Sequence, residues 1–519
     1  MYTTSMIRLV VLLLVPGCGW IGDDSWSRRL DLDADGVLIP DDCDPDDPQV
    51  GAATTWYADV DGDGHGTEVQ VEAACAPPVG FVSTAGDCDD SDAETYPGAF
   101  EGCDGQDRDC DGEVASSLLV DPGSQQGYEN ISDAVANATD GDTICVAAGI
   151  YQENLDLGDL SVALVSIGGA AQTSIVATVS DPVVRIAGGD PVRLQGFTVR
   201  GGSADVGGGI SVSGGAVALV SVAVIGNEAT ERGGGLYTRD AEVVIEDSSF
   251  QDNVVEHNQG PGGGVYVDGG QVLIVNTRFE GNLGTDGGLT LDGGGELSLD
   301  GVTFFANIGL DCGGVCVASG SLDARHLDAR ENEGSFGAAL AAATGTEVSI
   351  SNAIFAANQA DNEQDVAAGG GIWSAAARLA LTNVVFYGNY ASTMGAGLYV
   401  ASGADEVEIV NTSFAENVAA GGEGGAISVA GSPSVRVRYS HFNDGAAPVV
   451  GTEDPFARDE DGNITGDPVF VDVSGDAADA WDLTLGAGSP LVDAGDPAIL
   501  DEDGSRSDMG AYGGPSSSW

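Results

Sequence analysis

Lysine is absent from this 519-residue sequence, so all 17 of its basic residues are arginines. Without lysine the chain has no phosphate-binding P-loop, no Schiff-base catalysis and no lysine general base. The 82 acidic residues give a formal net charge of −65, which would repel the phosphates of nucleic acid. The composition therefore excludes these enzyme classes and predicts no nucleic-acid partner.

Long apolar runs are also missing. The first apolar run, residues 9–15, is too short to cross a bilayer, and no later run is long enough either. Arg8 precedes this run, and Val15-Pro16-Gly17-Cys18 ends it. A charged residue, a short apolar core and small residues in this order are typical of a secretory signal.

The end of this signal resembles the lipobox of bacterial lipoproteins. The resemblance implies a signal peptide over 1–17, a lipidated Cys18 and a tether over 18–30. Gly19 follows the cysteine, and this favours an anchor in the cell outer membrane, with exposure at the cell surface left open. Plain secretion with an incidental cysteine is the alternative.

Residues 31–113 form an acidic stretch in which aspartates recur at alternate positions before a glycine. Three segments share this spacing: Asp31, Asp33 and Asp35, with Asp42 at the twelfth position; Asp59, Asp61 and Asp63; and Asp107, Asp109 and Asp111. Calcium loops use this spacing to fold successive oxygen ligands around one ion. The second and third segments lack an acid at the twelfth position, so their closing ligands must come from elsewhere, with Glu68, Asp87 and Asp89 as candidates. The stretch predicts a calcium-binding module, and a merely solvated acidic stalk is the alternative.

Residues 61–66, 86–90, 97–99 and 103–112 are similar to the metal-binding motif of the copper-binding MopE-like family. Residues 31–48 look like a partial copy and also resemble thrombospondin type 3 repeats. The resemblance implies a metal-binding module, although Arg108 stands where that family has asparagine. Carboxylates are hard ligands that suit calcium, whereas copper would need imidazole or sulfur. We therefore predict calcium as the cofactor and rank copper below it.

Five of the cysteines lie in this acidic module, where little apolar sequence is available to form a core. A small module of this kind is typically stabilised by disulfides in an exported protein. Cys75 with Cys88, and Cys103 with Cys110, are the plausible pairs, although spacing does not determine connectivity. Cys312 and Cys316 are either a further pair or two buried thiols.

The middle of the chain repeats one pattern: two glycines, an apolar residue, alternating apolar residues and a final N-x-x-F-x-x-N. The final asparagines are Asn227, Asn253, Asn282, Asn307, Asn332, Asn358, Asn389 and Asn417. Their spacing of 25 to 31 residues is typical of a solenoid. The alternation has a period of two, so each coil is predicted to contain three short strands that pair in parallel with the next coil.

Three side-chain types have assigned roles in this predicted solenoid. The phenylalanines form a buried column, and the final asparagines satisfy backbone groups at a bend that excludes water. A second polar column lies six residues earlier: Ser221, Asp247, Asn276, Gly301, His326, Asn352, Asn383 and Asn411. The paired glycines are expected to supply positive φ at the remaining turn, where a Cβ would clash.

This pattern resembles the repeats of the chlamydial polymorphic outer membrane protein family, which implies an all-β, right-handed parallel β-helix. The predicted β-helix spans 118–445. Residues 131–138 have helical spacing and, with 141–151, look like the start of pectin-lyase-like β-helices, in which a helix covers the first coil. Residues 446–519 resemble a C-terminal cap segment, in which Asp501, Asp503 and Asp508 form either a calcium site or a polar turn.

Two function classes compete for this β-helix. The first is a structural or adhesin-like binding rod, anchored by lipid and carried on a calcium-stiffened stalk. The second is a polysaccharide lyase or glycoside hydrolase, which needs a basic residue over calcium or two spaced carboxylates. The only charged cluster that breaks the coil pattern contains the weak catalytic candidates Arg325, Asp328 and Arg330. We favour the binding rod, because no carboxylate pair is convincing.

Coil lengths vary only between the final asparagine and the glycine pair, and rigid scaffolds often carry binding sites on such loops. The two longest loops, 256–261 and 359–368, include His257, Asp361, Glu363 and Asp365. They emerge on one edge, where we expect a glycan or protein ligand. The sequence does not identify that ligand, and a merely solvated edge is the alternative.

Overall fold

The computed structural model describes residues 37, 42–44, 46–47, 52–112, 117–124, 127–189, 191–256, 260–362, 366–422, 424–443, 449–451, 462–475 and 477–517. The predicted signal, the tether, Cys18, Asp31, Asp33 and Asp35 lie outside these residues, as do His257, Glu363 and Asp365. The chain divides into two compact units, Met1–Ala115 and Ser116–Trp519.

The second unit is the predicted all-β, right-handed parallel β-helix, built from three parallel sheets. Sheet 1 contains the strands that follow the glycines: Leu155–Asp156, Val184–Ile186, Ile210–Ser213, Leu236–Arg239, Val265–Asp268, Leu289–Asp292, Val315–Val317, Leu340–Ala342, Ile372–Ser374, Leu398–Val400, Ile427–Val429 and Val449–Val450. Sheet 3 contains the strands that follow the final asparagines: Ser203–Val206, Glu228–Arg232, Val254–Val255, Leu283–Asp286, Ile308–Cys312, Glu333–Gly334, Gln359–Ala360, Tyr390–Ala391 and Val418–Ala419.

Sheet 2 lies between these two in each coil and is bent. It contains Ser117–Val120, Thr143–Val146, Gly149–Gln152, Ala163–Ser166, Thr173–Val176, Val192–Gln195, Thr198–Arg200, Ala216–Val220, Ala223–Ile225, Glu242–Glu246, Ser249–Gln251, Gln271–Val275, Arg278–Glu280, Glu296–Asp300, Thr303–Phe305, Ser321–Arg330, Glu347–Ala356, Arg378–Tyr387, Glu406–Val410, Ser413–Ala415, Ser434–Arg438, His441–Asn443 and Ile464–Thr465. Six of the described coils therefore have four strands rather than the predicted three, because the bend divides the second strand. In three others the second strand is continuous, as Ser321–Arg330, Glu347–Ala356 and Arg378–Tyr387, and the coil has the predicted three strands.

The second polar column causes this bend. Its residues have left-handed backbones, with φ of 51° at Ser221, 47° at Asn276 and 53° at His326. Asparagine, aspartate and glycine tolerate this conformation better than other residues do. The column is therefore a row of backbone corners, which differs from the buried amide row formed by the final asparagines.

The predicted phenylalanine column is confirmed. Phe250 stacks on Phe279 with ring centroids 5.1 Å apart, and Phe279 stacks on Phe304 at 4.6 Å. The coil that carries Ala329 has no ring, and stacking resumes at Phe355. Ala329 is nonetheless buried, so the interior remains closed there.

The final asparagines form the predicted buried ladder. Asn307 Oδ1 accepts the backbone N–H of Asn282 at 3.1 Å and its Nδ2 at 2.8 Å. Asn307 Nδ2 donates to the Phe279 carbonyl at 3.0 Å and to Asn332 Oδ1 at 3.0 Å. Each amide thus satisfies backbone groups of other coils that water cannot reach.

The predicted role of the paired glycines is partly wrong. In the coil of Gly263 and Gly264, the positive φ, 75°, belongs to the preceding Gly262. A Cβ at Gly263 or Gly264 would lie 2.5 Å from the carbonyl oxygen of Gly287 or Gly288. The pair is therefore required by the close approach of the next coil's backbone.

The N-terminal helix is confirmed as Ile131–Val135, capped by the Asn130 side chain. Ile131 and Ala134 are buried in the core that fills the β-helix, and Glu153 accepts the backbone N–H of Ile131 and Ser132. Within the described residues, no helix is long and apolar enough to cross a membrane.

The C-terminal segment, residues 467–475 and 477–517, lies along the flank of the coils, whereas the sequence resembles a cap segment. It contains the antiparallel strands Phe470–Asp472 and Asp482–Leu485 and the 3-10 helix Ala478–Ala480. The second polar column provides the docking groups, since Asn352 Nδ2 donates to the carbonyls of Ala511 and Gly513 at 2.9 and 2.7 Å. The β-helix itself continues past 445 to Ile464–Thr465.

Candidate metal centre

The first unit is built on an antiparallel sheet of Thr54–Ala58, Thr67–Ala74 and Phe81–Val82. The turn after the first strand contains Asp59, Asp61 and Asp63, whose carboxylates lie within 4.8 Å of one another. Gly62 and Gly64 have φ of 86° and 93°, which lets the backbone curl inward. Their N–H groups donate to the Asp59 carboxylate at 2.6 and 3.2 Å.

A second segment brings further carboxylates to this turn. Asp87 and Asp90 form a group with Asp61 that also fits within 4.8 Å. Asp90 Oδ1 accepts the Val60 N–H at 2.8 Å, which joins the two segments. Of the candidate closing ligands, the structure therefore places Asp87 in such a group. Asp90 was not predicted as a ligand, although residues 86–90 resemble the metal-binding motif, because it lies outside the D-x-D-x-D-G spacing.

Three oxygens in this cluster are buried without a hydrogen-bond partner: Asp61 Oδ2, Asp63 Oδ2 and Asp87 Oδ2. Burial, followed by the neighbouring carboxylates, raises the pKa of Asp61 and of Asp87 above the ordinary aspartate value. Buried oxygens without donors are costly, and a cation supplies the charge that would satisfy them. The cluster therefore fits a metal ion.

The chemistry of the donors favours a hard ion. All five clustered side chains offer carboxylate oxygens, which suit calcium. His65 is the nearby alternative for copper, since its Nδ1 is buried without a partner and lies 3.8 Å from Asp63 Oδ1. Its ring stacks on Tyr96 with centroids 4.9 Å apart.

A further group of carboxylates contains Glu101, Asp107 and Asp109. Asp107 Oδ1 is buried without a partner, while the Asp107 Oδ2 accepts the Gly112 N–H at 3.0 Å. Sequence spacing predicts Asp111 at this position, but the structure groups Glu101 there instead. Glu101 precedes the D-x-D-x-D-G segment and carried no signal in the sequence.

Arg108 neutralises other carboxylates of this region. Its guanidinium lies 2.8 Å from Asp104, 3.1 Å from Glu94 and 3.4 Å from Asp92. The hydrogen bond from Arg108 lowers the pKa of Asp104 below its ordinary value. These two aspartates and one glutamate are therefore paired with an internal cation.

Among the described residues, the remaining predicted ligands do not join a group of three. Asp42 has one buried carboxylate oxygen without a partner. The C-terminal aspartates form a polar turn, in which Asp501 Oδ1 accepts the Gly514 N–H at 2.5 Å and Asp508 Oδ1 accepts the Asp493 N–H at 2.7 Å.

Both predicted disulfide pairs of the module are wrong. Cys75 bonds to Cys43, and Cys88 bonds to Cys110. Chain distance does not decide such pairs, because the sheet brings residues 32 positions apart together. Cys312 and Cys316 do form a disulfide.

The weak catalytic candidates of the β-helix are engaged by neighbouring side chains or by the C-terminal segment. Arg330 Nε lies 2.6 Å from Asp328, and its Nη1 donates to the carbonyls of Ala478 and Trp481 at 2.6 and 3.0 Å. Burial raises the pKa of Asp328 above its ordinary value. Arg325 pairs with Asp300 at 2.7 Å.

His326 is also held in a structural position, as the sequence suggests. Its Nδ1 is 2.7 Å from Asp300 and its Nε2 is 3.0 Å from the Ser516 carbonyl oxygen. Burial acts to raise the pKa of Asp300, but the hydrogen bonds from His326 and Arg325 outweigh it and lower this pKa below its ordinary value.

Comparisons with known proteins agree with these two units. Residues 87–115 match the family Cu-binding_MopE, described as "Putative metal-binding motif", and residues 183–355 match Beta_helix, described as "Right handed beta helix region". One similar solved structure is titled "Crystal structure of pectate lyase Pel9A". It has a TM-score of 0.40 and 13% identity, covering 77% of this chain and 96% of that chain. No curated protein matches the chain.

Proposed function

We propose that this chain is a cell-envelope binding protein in which the N-terminal module holds calcium and the β-helix presents a ligand-binding face. Cys18 would anchor it by lipid to the outer membrane, a part of the proposal that depends on the sequence alone. The ligand of the β-helix would be a glycan or a protein.

The observation that carries the metal part is the set of buried, unpartnered oxygens on Asp61, Asp63 and Asp87. Asp59 and Asp90 would complete the ligand set around them. When bound, calcium would neutralise a cluster that otherwise destabilises the turn after Thr54–Ala58. The affinity of extracellular calcium modules is on the order of 10⁻⁴ to 10⁻³ M, and we expect this range here.

A binding role for the β-helix, rather than catalysis, is supported by the contacts of its charged cluster. Arg330 is 7% exposed and donates to carbonyls of the C-terminal segment. A catalytic arginine must reach a substrate, whereas the Arg330 side chain is buried and binds Asp328 and the C-terminal segment.

Calorimetric titration of the calcium-stripped chain tests the metal part. We expect calcium uptake that is reduced in the variant with Asp61→Asn and Asp87→Asn, which leaves the group of Glu101, Asp107 and Asp109 intact. Asp89→Asn is the matched control, because the Asp89 carboxylate contacts Ser91 Oγ at 2.7 Å and lies outside both groups that contain Asp61. Equal uptake by the two variants would contradict the calcium centre.

Copper titration separates the two metals. Tighter binding of copper than of calcium, abolished by His65→Gln, would replace calcium with copper as the physiological ion.

Two further measurements test the remaining parts. Fractionation of Cys18→Ser should find the protein released from membranes, and retention in the outer membrane after a high-salt wash would contradict the lipid anchor. A screen of glycans for binding and for depolymerisation, with calcium present, tests the role of the β-helix. Cleavage that is lost with Asp328→Ala or Arg330→Ala would favour a polysaccharide-degrading enzyme.

A further inference from the structure

Sheet 3 exposes a face that no other described element covers at the strand Ile308–Cys312. Ile308 and Leu310 are 43% and 39% exposed, because alternate residues of a strand point to the same side. The next coils place Glu333 beside Ile308 and Gln359 beside Glu333. Apolar and acidic side chains are thus neighbours on one surface.

These coils enclose a groove of about 360 Å³. Gly334 and Ser335 of the middle coil also line it, and Gly334 packs closely on the preceding coil, where a Cβ would lie 2.9 Å from the Asp311 carbonyl oxygen. Ser335 Oγ donates to the Leu310 carbonyl at 2.7 Å and accepts from Asn362 Nδ2 at 3.3 Å. The groove therefore has a fixed base, with Ile308 and Leu310 on one side.

The charged side chains that line the groove are all acidic. Asp311, Glu333 and Asp361 line it, and no arginine is among its described lining residues. The salt bridges described in the β-helix involve other carboxylates. The groove carboxylates lie on successive coils without facing one another directly, since the strand partners of Glu333 are Ile308 and Gln359, and together they give the groove a negative potential. A ligand that brings positive charge would complement this potential.

We propose that this groove binds an arginine- or lysine-bearing segment of another protein. The aliphatic stem of such a side chain would lie on Ile308 and Leu310, while its charged end would bond to Glu333 and Asp361. A second copy of this chain is disfavoured, because two molecules of charge −65 repel each other. The proposal rests on the proposed binding function and assigns its site and the chemistry of its partner.

The test measures binding of a fluorescein-labelled peptide of alternating arginine and glycine to the full chain, at about 0.15 M salt and with calcium present. Glu333→Gln combined with Asp361→Asn should weaken binding about fivefold to tenfold. The matched control is Glu228→Gln with Glu242→Gln, which removes the same charge from exposed positions of the same β-helix. It should change binding less than twofold.

Leu310→Asn provides a second test that leaves the net charge unchanged. It should weaken peptide binding about threefold through loss of the apolar side of the groove. Equal loss in the two double variants would overturn the proposal, since the peptide would then report only the overall charge. Failure of the peptide to bind at all, or binding of a neutral dextran oligosaccharide that depends on Glu333 and Asp361, would also overturn it.

The outcome for the general binding role is separate. If the glycan and protein screens find a ligand whose affinity is unchanged by Glu333→Gln with Asp361→Asn, the groove assignment fails while the proposed function stands. If no ligand is found by any of these measurements, both fail.

Discussion

Replacing one amide of the asparagine ladder should destabilise the β-helix strongly, although the change removes only a few atoms. In Asn307→Ala, four hydrogen bonds are lost, two accepted from Asn282 and two donated to Phe279 and Asn332. All three asparagines are buried at about 0% exposure. The partners therefore remain in place without water to replace the missing amide.

The magnitude follows from the groups left unsatisfied. A buried donor or acceptor without its partner costs about 1–3 kcal/mol. The Asn282 N–H and the Phe279 carbonyl are fixed backbone groups, while the side chains of Asn282 and Asn332 can shift slightly. We therefore expect a loss of about 4 kcal/mol in the free energy of unfolding, more than most single substitutions cause.

Equilibrium urea denaturation of the full chain with calcium present, followed by circular dichroism, measures this loss. Asn276→Gly is the control in the neighbouring coil, because Asn276 is exposed with φ of 47° and the next coil has Gly301 at the same position. It should change stability by less than about 0.5 kcal/mol. Hydrogen exchange should show the damage of Asn307→Ala in its own coil and the two adjacent coils.

A loss below about 1 kcal/mol in Asn307→Ala, or a loss equal to that of Asn276→Gly, would refute this reasoning. Either result would mean that water or a backbone shift satisfies the ladder's partners. The ladder would then be a consequence of the fold and contribute little to its stability.

Three further perturbations have defined outcomes. Burial raises the pKa of Asp286 from 3.8 to about 7, opposed by the Thr290 hydrogen bond and assisted by nearby carboxylates. The stability that its protonated form contributes is therefore fully present below pH 3.8 and is lost as the pH rises to about 7. The free energy of unfolding of Asp286→Asn should therefore match that of the parent near pH 4 and exceed it by about 2–4 kcal/mol at pH 8. A variant whose stability equals that of the parent at both pH values would contradict the raised pKa. Arg108→Gln should lower the melting temperature of the first unit in chelator more than in calcium, and a loss that calcium does not reduce would contradict its role as an internal cation. Gly264→Ala should lower the melting temperature of the β-helix by several degrees, because its Cβ would lie 2.5 Å from a carbonyl oxygen, and an unchanged melting temperature would contradict that contact.

Much of the β-helix could be predicted because one coil repeats. The positions of Phe279 and Asn282 could be assigned because copies recur at Phe304 and Asn307, and the period alone indicates that these residues stack. The sign of φ cannot be read from such copies. Sequence therefore located the second polar column without showing that Asn276 lies at a left-handed corner, and it assigned to Gly263 a conformation that belongs to Gly262.

The candidate metal centre could be predicted only in part, because it is assembled from two segments. Asp59, Asp61 and Asp63 lie within one turn, so their spacing indicates a shared ligand position. Asp90 joins them only through the packing of a distant segment, which the hydrogen bond to Val60 N–H reveals. Glu101 was not predicted as a ligand for the same reason. The disulfide partners also depend on tertiary contacts of this kind.

The C-terminal segment has a mechanical consequence. Residues 496–516 cross the coils in reverse order, so Ser516 contacts His326, Asp508 contacts Asn383 and Asp496 contacts Arg438. Tension applied to the C-terminal end would strip these contacts one at a time, beginning at His326, before it reached the contacts of Ala478 and Trp481 with Arg330. The segment would thus detach and extend under load while the stacked coils remain folded.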